Sequence, residues 1–129
     1  MSLPVWLFVA YGGGHVSMVV PVAQRARELG LCEPVVLALT TAGPVARAAG
    51  LKTVGFSDFV LANDKSWLEQ GARMAAQLPN PSVDAEESAA YLGMSLADLA
   101  QVQGLVQAEA AYRDVGRAAF LPVQFLERV

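Results

Sequence analysis

Three consecutive glycines, Gly12-Gly13-Gly14, separate an apolar run, Val5-Trp6-Leu7-Phe8-Val9-Ala10, from an amphipathic stretch that begins at Val16. The apolar run has the length and composition of a buried strand, and the following stretch has the 3.6-residue period of a helix. The glycines leave room only for a tight turn between them. A strand that passes directly into a helix regains its sheet through a crossover. The neighbouring strands are then parallel and the connection right-handed. The first thirty or so residues therefore commit the chain to an α/β design.

The same rhythm continues. The first strand spans Val5 to Tyr11. The first helix spans Val16 to Leu29, with Val16, Val19, Val20, Ala23 and Ala26 on one face and Gln24, Arg25 and Glu28 on another. Gly30 stops it. Pro34 to Leu39 is apolar throughout, as a strand buried on both faces should be. Thr40 to Gly43 is a turn, and Pro44 suits the first position of a short helix closed by Gly50. Lys52 to Phe56 is a weak third strand. Pro21 falls inside the first helix, where proline costs about 3 kcal/mol. Either it marks function or the regular helix starts later.

From Asp64 onward only helices are expected. One runs from Asp64 to Leu78 and stops at Pro79. Pro79-Asn80-Pro81-Ser82 is a loop. Ser82 or Asp84 caps the next helix, which carries Glu86 and Glu87 in its first turns and ends near Gly93. Ser95 and Asp98 resemble a capping box for a further helix, broken at Gly104 and reaching about Phe120. Pro122 opens a last turn. Residues 1–60 thus read as βαβαβ and residues 61–129 as all-helical, within a single domain of 129 residues.

Three parallel strands are about half of a doubly wound sheet. In the strand order 3-2-1-4-5-6 a fourth strand pairs with the first. No fourth strand follows here, so the first is expected at an open apolar edge. A second copy or a partner chain would complete it, or the chain is a piece of a larger two-domain protein. The formal net charge is −3 and the basic residues are scattered singly, which argues against a nucleic-acid surface. The lone Cys32 excludes an internal disulfide and fits a reducing, cytoplasmic compartment. The N-terminal apolar run lacks the basic leader of a signal peptide, and no segment approaches the length of a membrane span.

In open α/β sheets, ligands bind at the carboxyl ends of the strands. Glycines there let backbone approach a ligand, and the helix that follows directs its N–H groups and positive dipole end at the same place. Gly12-Gly13-Gly14-His15-Val16-Ser17 fits the dinucleotide pattern only if Ser17 replaces its last glycine. The ribose-binding acid is also missing, because Leu39, Thr40 and Thr41 occupy the end of the second strand. No Gly-Lys-Ser/Thr follows, so the turn is no P-loop. A small-molecule phosphate or sugar is the better fit. His15, the only histidine, is a candidate general base. The helix dipole favours its neutral form, though it also suits a simple hydrogen bond to the turn. Asp58 is a candidate to orient that ring, or a turn cap. Trp67, Met74, Tyr91 and Met94 either line an acceptor groove or form helix core. Asp84, Glu86 and Glu87 read as helix-start charges, and no metal site is expected.

Gly12-Gly13-Gly14-His15-Val16, then Pro21, Ala23 and Arg27-Glu28-Leu29-Gly30, resemble the start of glycosyltransferases with the two-Rossmann, GT-B fold. The lipid-linked muropeptide N-acetylglucosaminyltransferases and the UDP-glycosyltransferases are the nearest in pattern. The resemblance covers about the first thirty residues. It implies a Rossmann-like three-stranded parallel sheet, an incomplete GT-B N-terminal domain, with an all-helical C-terminal half. It implies transfer of a sugar from UDP or another nucleotide to an acceptor hydroxyl, without a covalently bound cofactor. By that resemblance Gly12, Gly13 and Gly14 approach the donor diphosphate, and His15 deprotonates the acceptor for inverting attack. The family has a second Rossmann domain that this sequence lacks. The expectation is therefore an acceptor-side portion with little or no transfer activity alone. Two alternatives stand beside it. One is a sugar-nucleotide epimerase of the same fold, which would need an acid–base pair of carboxylates. The other is a non-enzymatic α/β subunit completed by a partner chain.

Overall fold

The computed structural model describes residues 2–77, 83–116 and 123–129. Its contacts divide the chain into two compact units, Met1–Asp58 and Phe59–Val129. The first unit is α/β and the second is helical.

In the first unit, β1 (Val5–Ala10), α1 (Gly14–Glu28), β2 (Glu33–Ala38), α2 (Ala42–Ala48) and β3 (Lys52–Val54) follow one another. The three strands are parallel in the order β1-β2-β3. Val5 lies opposite Glu33 and Ala10 opposite Ala38. Val16, Val20 and Ala23 of α1 and Ala42 and Ala46 of α2 pack with Ala10, Val36 and Ala38 into one core. Small residues dominate it, so the helices can lie close to the sheet.

β1 is an edge strand, and among the described residues no further strand pairs with it. Side chains alternate across a strand, so Val5, Leu7 and Val9 share one face. They are 62%, 44% and 37% exposed. The edge carries no charged residue or proline along Val5–Ala10, the usual devices that block pairing.

Several boundaries differ from expectation in this unit: β1 stops at Ala10 rather than Tyr11, β2 is shifted one residue earlier, and β3 stops at Val54, with Phe56 opening a short 3-10 turn, Phe56–Phe59. α1 begins at Gly14 rather than Val16, because Gly13 has the positive φ of 67° that ends the turn. Pro21 lies within the continuous helix, which removes the looser-first-turn reading. Its side is exposed, so water can reach the Ser17 carbonyl that a proline leaves without a helix donor. Pro44 occupies the third position of α2, not the first.

The second unit contains α3 (Lys65–Gln77), α4 (Ala85–Gln103), α5 (Leu105–Val115) and α6 (Val123–Leu126). The Pro79-Asn80-Pro81-Ser82 loop, Phe120 and Pro122 lie outside the described residues. Asp84 caps α4, its carboxylate accepting from the Glu86 and Glu87 N–H groups at 2.9 and 3.2 Å. α4 does not end near Gly93 but continues to Gln103. Gly93 serves packing instead. A Cβ there would collide with the Trp67 carbonyl, and one on Gly71 would collide with the Ala89 carbonyl. The two glycines let the α3 and α4 backbones touch. The break comes at Gly104, whose φ of 84° and ψ of 154° belong to glycine.

Ser95 and Asp98 form no capping box, because α4 runs straight through them. Ser95 is buried, and its hydroxyl has no hydrogen-bond partner among the described residues. Asp98 instead accepts the Phe125 N–H at 2.9 Å and so satisfies a free donor in the first turn of α6. A second clasp joins Asp64 to the C-terminal segment. Its carboxylate accepts from Leu61 N–H at 2.8 Å and pairs with Arg128 at 2.6 Å. No helix among the described residues is long and apolar enough to cross a membrane.

Candidate functional site

The glycine turn leaves the carboxyl end of β1 and meets the β2–α2 connection. The Gly12 N–H donates to Thr40 Oγ1 at 3.1 Å. A Cβ on Gly12 would strike Thr41 Oγ1, so glycine is required by this close approach. Thr40 has a φ of 54°, a left-handed conformation that a β-branched residue rarely adopts. Strain of this kind gathers at functional sites. Thr40 and Thr41 are thus part of the turn's wall. Sequence reasoning weighed them only as the place where a ribose-binding acid is missing. Their position, beside the end of the first strand in a parallel pair, was the available signal.

The turn opens outward beyond Gly12. Nothing lies within 4 Å of where a Cβ on Gly13 or Gly14 would stand. α1 starts here with no side-chain cap on its first turn. Its leading N–H groups therefore face solvent or a ligand, at the positive end of the helix dipole. Ser17, exposed on the first turn of α1, donates its hydroxyl to the Gly13 carbonyl at 3.2 Å.

His15 is exposed on the same turn. The Tyr11 N–H donates to its Nδ1 at 2.8 Å, and the Tyr11 and His15 rings lie 6.0 Å apart at a tilt of 48°. A nitrogen that accepts a hydrogen bond carries no proton. In this arrangement the ring is neutral, and its one proton sits on Nε2. The ring presents a donor. To act as a base through Nε2 it must carry its proton on Nδ1, which would face the Tyr11 N–H as donor against donor. Base action therefore requires the ring to leave the Tyr11 bond.

Asp58 is not joined to His15 by a hydrogen bond among the described residues. Its carboxylate accepts the Gly55 N–H at 2.8 Å, and its own N–H donates to the Gly55 carbonyl at 3.2 Å. That closes the turn after β3. Cys32 is buried at the start of β2, the opposite end of the sheet from the glycines. It lines a hollow of about 510 Å³ with Leu3, Val5, Arg27, Glu33 and Lys52.

In the helical unit, Met74, Tyr91 and Met94 are buried as core. Trp67 is half-buried, and it lines a separate cavity with Met94. Among the described residues no group of three or more His, Cys, Asp or Glu side chains is placed to hold a metal ion. No protein-family model, curated protein or solved structure matches this chain.

Proposed function

We propose that this chain forms the acceptor-side portion of a nucleotide-sugar-dependent glycosyltransferase built on a Rossmann-like, GT-B-type sheet. The observation that carries the reading is the open space around Gly13 and Gly14 at the uncapped start of α1. A diphosphate is the ligand that such a turn suits, because uncommitted N–H groups and the helix dipole both favour an anion. UDP or another nucleotide sugar is the donor. His15 stands beside that opening, within reach of what binds there.

Two duties are open to His15 in this reading. Bound as it is to Tyr11, it offers Nε2–H to an anionic oxygen. Released from Tyr11, it accepts the proton of the acceptor hydroxyl as that oxygen attacks the anomeric carbon. His15→Gln separates the two, because glutamine can donate but cannot take the proton. In the complete enzyme that this reading requires, His15→Gln abolishes transfer if His15 is the base and retains most of it if His15 is a donor. For the chain itself, amide spectra are followed during titration with UDP. Shifts are expected at Gly13, Gly14, His15 and Thr40. An unchanged spectrum at millimolar UDP sinks the diphosphate assignment.

The open edge of β1 favours a second reading, an α/β subunit that completes its sheet with a second copy or another chain. Recovery of a defined second polypeptide with the chain, and no response to nucleotide sugars, would favour it.

A further inference from the structure

The open side of the α/β unit is two layers deep. α1 and α2 pack on one face of the sheet and share a core with Ala10, Val36 and Ala38. Side chains alternate along β1, so Trp6, Phe8 and Ala10 face α1 while Val5, Leu7 and Val9 face away. The flank of α1 toward α2 is fixed by Gln24, which donates to the Ala49 carbonyl at 3.1 Å, and by Arg27, which donates to the Gly50 carbonyl at 2.9 Å. At about 100° per residue, Met18 and Val22 lie on the opposite flank, over the β1 edge. They are 73% and 59% exposed, and Trp6 below them is exposed too. Strand and helix thus present one continuous apolar surface, with no charge along Val5–Ala10. Its extent is on the order of 600 Å², the upper end of what a monomer leaves bare.

The shape of this surface selects its occupant. A neighbour must pair with β1 and cover the α1 flank at once. A second copy does both under one two-fold axis perpendicular to the sheet. That axis pairs β1 with its own counterpart antiparallel and keeps both α1 helices on the same face. An axis along the strands would put the helices on opposite faces and leave Met18 and Val22 bare. The spacing fits as well. α1 lies over both β1 and β2, so about one strand spacing, ~4.8 Å, separates it laterally from an axis between the two copies of β1. The two α1 helices then stand about 10 Å apart, and packed helices stand roughly 8–10 Å apart. Leu7 is about 10 Å along β1 from Ala10, and Val22 is about 12 Å along α1 from Gly14, so the two lie level. Residues opposite one another in an antiparallel pair share a face. With Leu7 opposite Leu7 of the second copy, Val5 meets Val9 and Trp6 meets Phe8, all apolar pairs.

We propose that β1 and α1 form a two-fold interface between copies of this chain, with Leu7 and Val22 of both copies at the axis. The three strands of each copy join into one sheet in the order 3-2-1-1-2-3. The inference rests on the reading of an α/β subunit that completes its sheet, and it names a second copy as the partner. With the β1 backbone included, each copy contributes close to the ~800 Å² that an interface of standard size takes from one partner.

Cysteine cross-linking of the intact chain, beside light scattering, tests the arrangement. Native Cys32 is buried, so the parent supplies the background. Val22→Cys places a thiol at the axis. Val45→Cys places one on α2, away from the β1 edge. Both positions are exposed, so both variants should fold. The parent should scatter as a dimer at micromolar concentration. Val22→Cys should form a disulfide-linked dimer under mild oxidation about tenfold faster than Val45→Cys, or more. Val22→Lys brings two like charges together at the axis and should weaken the dimer about tenfold or more. A dimer with equal cross-linking rates, or one indifferent to Val22→Lys, overturns this interface and leaves sheet completion standing. A monomer recovered with a defined second polypeptide overturns the second copy and gives the edge to another chain. A monomer recovered with nothing overturns both.

Discussion

Asp64 is 5% exposed, and the Arg128 guanidinium that bonds it holds its carboxyl below the usual value of 3.8, against the opposing effect of burial. The Leu61 N–H and the charge of Arg128 act in the same direction as the bond. The Arg128 side chain is 34% exposed, so water screens part of the attraction. Arg128→Met should cost the helical unit roughly 1–3 kcal/mol at neutral pH, read from urea unfolding. An acid with a lowered folded pKa contributes its stability fully above its unfolded pKa. That contribution is lost as pH falls through the folded value. The gap between parent and variant should therefore be complete above about pH 4 and shrink below it. A gap that persists undiminished in strong acid would show that the ion pair is not its source. At Thr40 the strain is in the backbone. Asparagine tolerates the left-handed region and keeps a side-chain acceptor for the Gly12 N–H. Thr40→Asn should raise the stability of the α/β unit by about 0.5–1 kcal/mol, measured by thermal unfolding. A loss of stability would mean that the threonine side chain contributes more than its strain costs.

The helix pair α3–α4 depends on two glycines whose missing side chains let backbone meet backbone. Gly93→Ala would place a methyl group on the Trp67 carbonyl, an atom that cannot swing aside. It should cost about 3 kcal/mol or more, because overpacking must separate the helices along their whole contact. Chemical denaturation checks this, and a variant as stable as the parent would show that the helices separate without penalty. The same contact explains why α4 passes through Gly93 although isolated glycine lowers helix propensity by about 1 kcal/mol. α1 makes a parallel case with Pro21, whose exposed side lets water take the place of the lost donor.

At the scale of the molecule the exposed face of β1 is the feature that most needs a partner. Val5, Leu7 and Val9 stand in a row on an edge strand that is unpaired among the described residues. Under the completion reading the chain associates at micromolar concentration, and Leu7→Lys, which adds a charge to that row, returns it to the monomer. Light scattering on both proteins decides, and a parent that stays monomeric counts against an adhesive edge. Leu7 is already 44% exposed, so the variant should fold normally.

The pattern of residues was enough to read three parallel strands, two connecting helices and a helical second half. Those follow from local period, from where Gly and Pro interrupt it, and from the geometry of crossovers. It was also enough to place the glycine turn at a strand's end. It could not show that Gly93 was a contact rather than a helix end, because the partner that demands it, Trp67, lies on another helix. For the same reason Ser95 and Asp98 looked like a cap, while Asp98 in fact reaches the Phe125 N–H far along the chain. His15 was legible as a residue of the turn, but the proton it carries depends on Tyr11, whose N–H fills Nδ1. Secondary structure is a matter of neighbours in sequence. Hydrogen-bond partners, strain at Thr40 and the clasp of Arg128 on Asp64 are matters of neighbours in space, and those arise once the chain has packed.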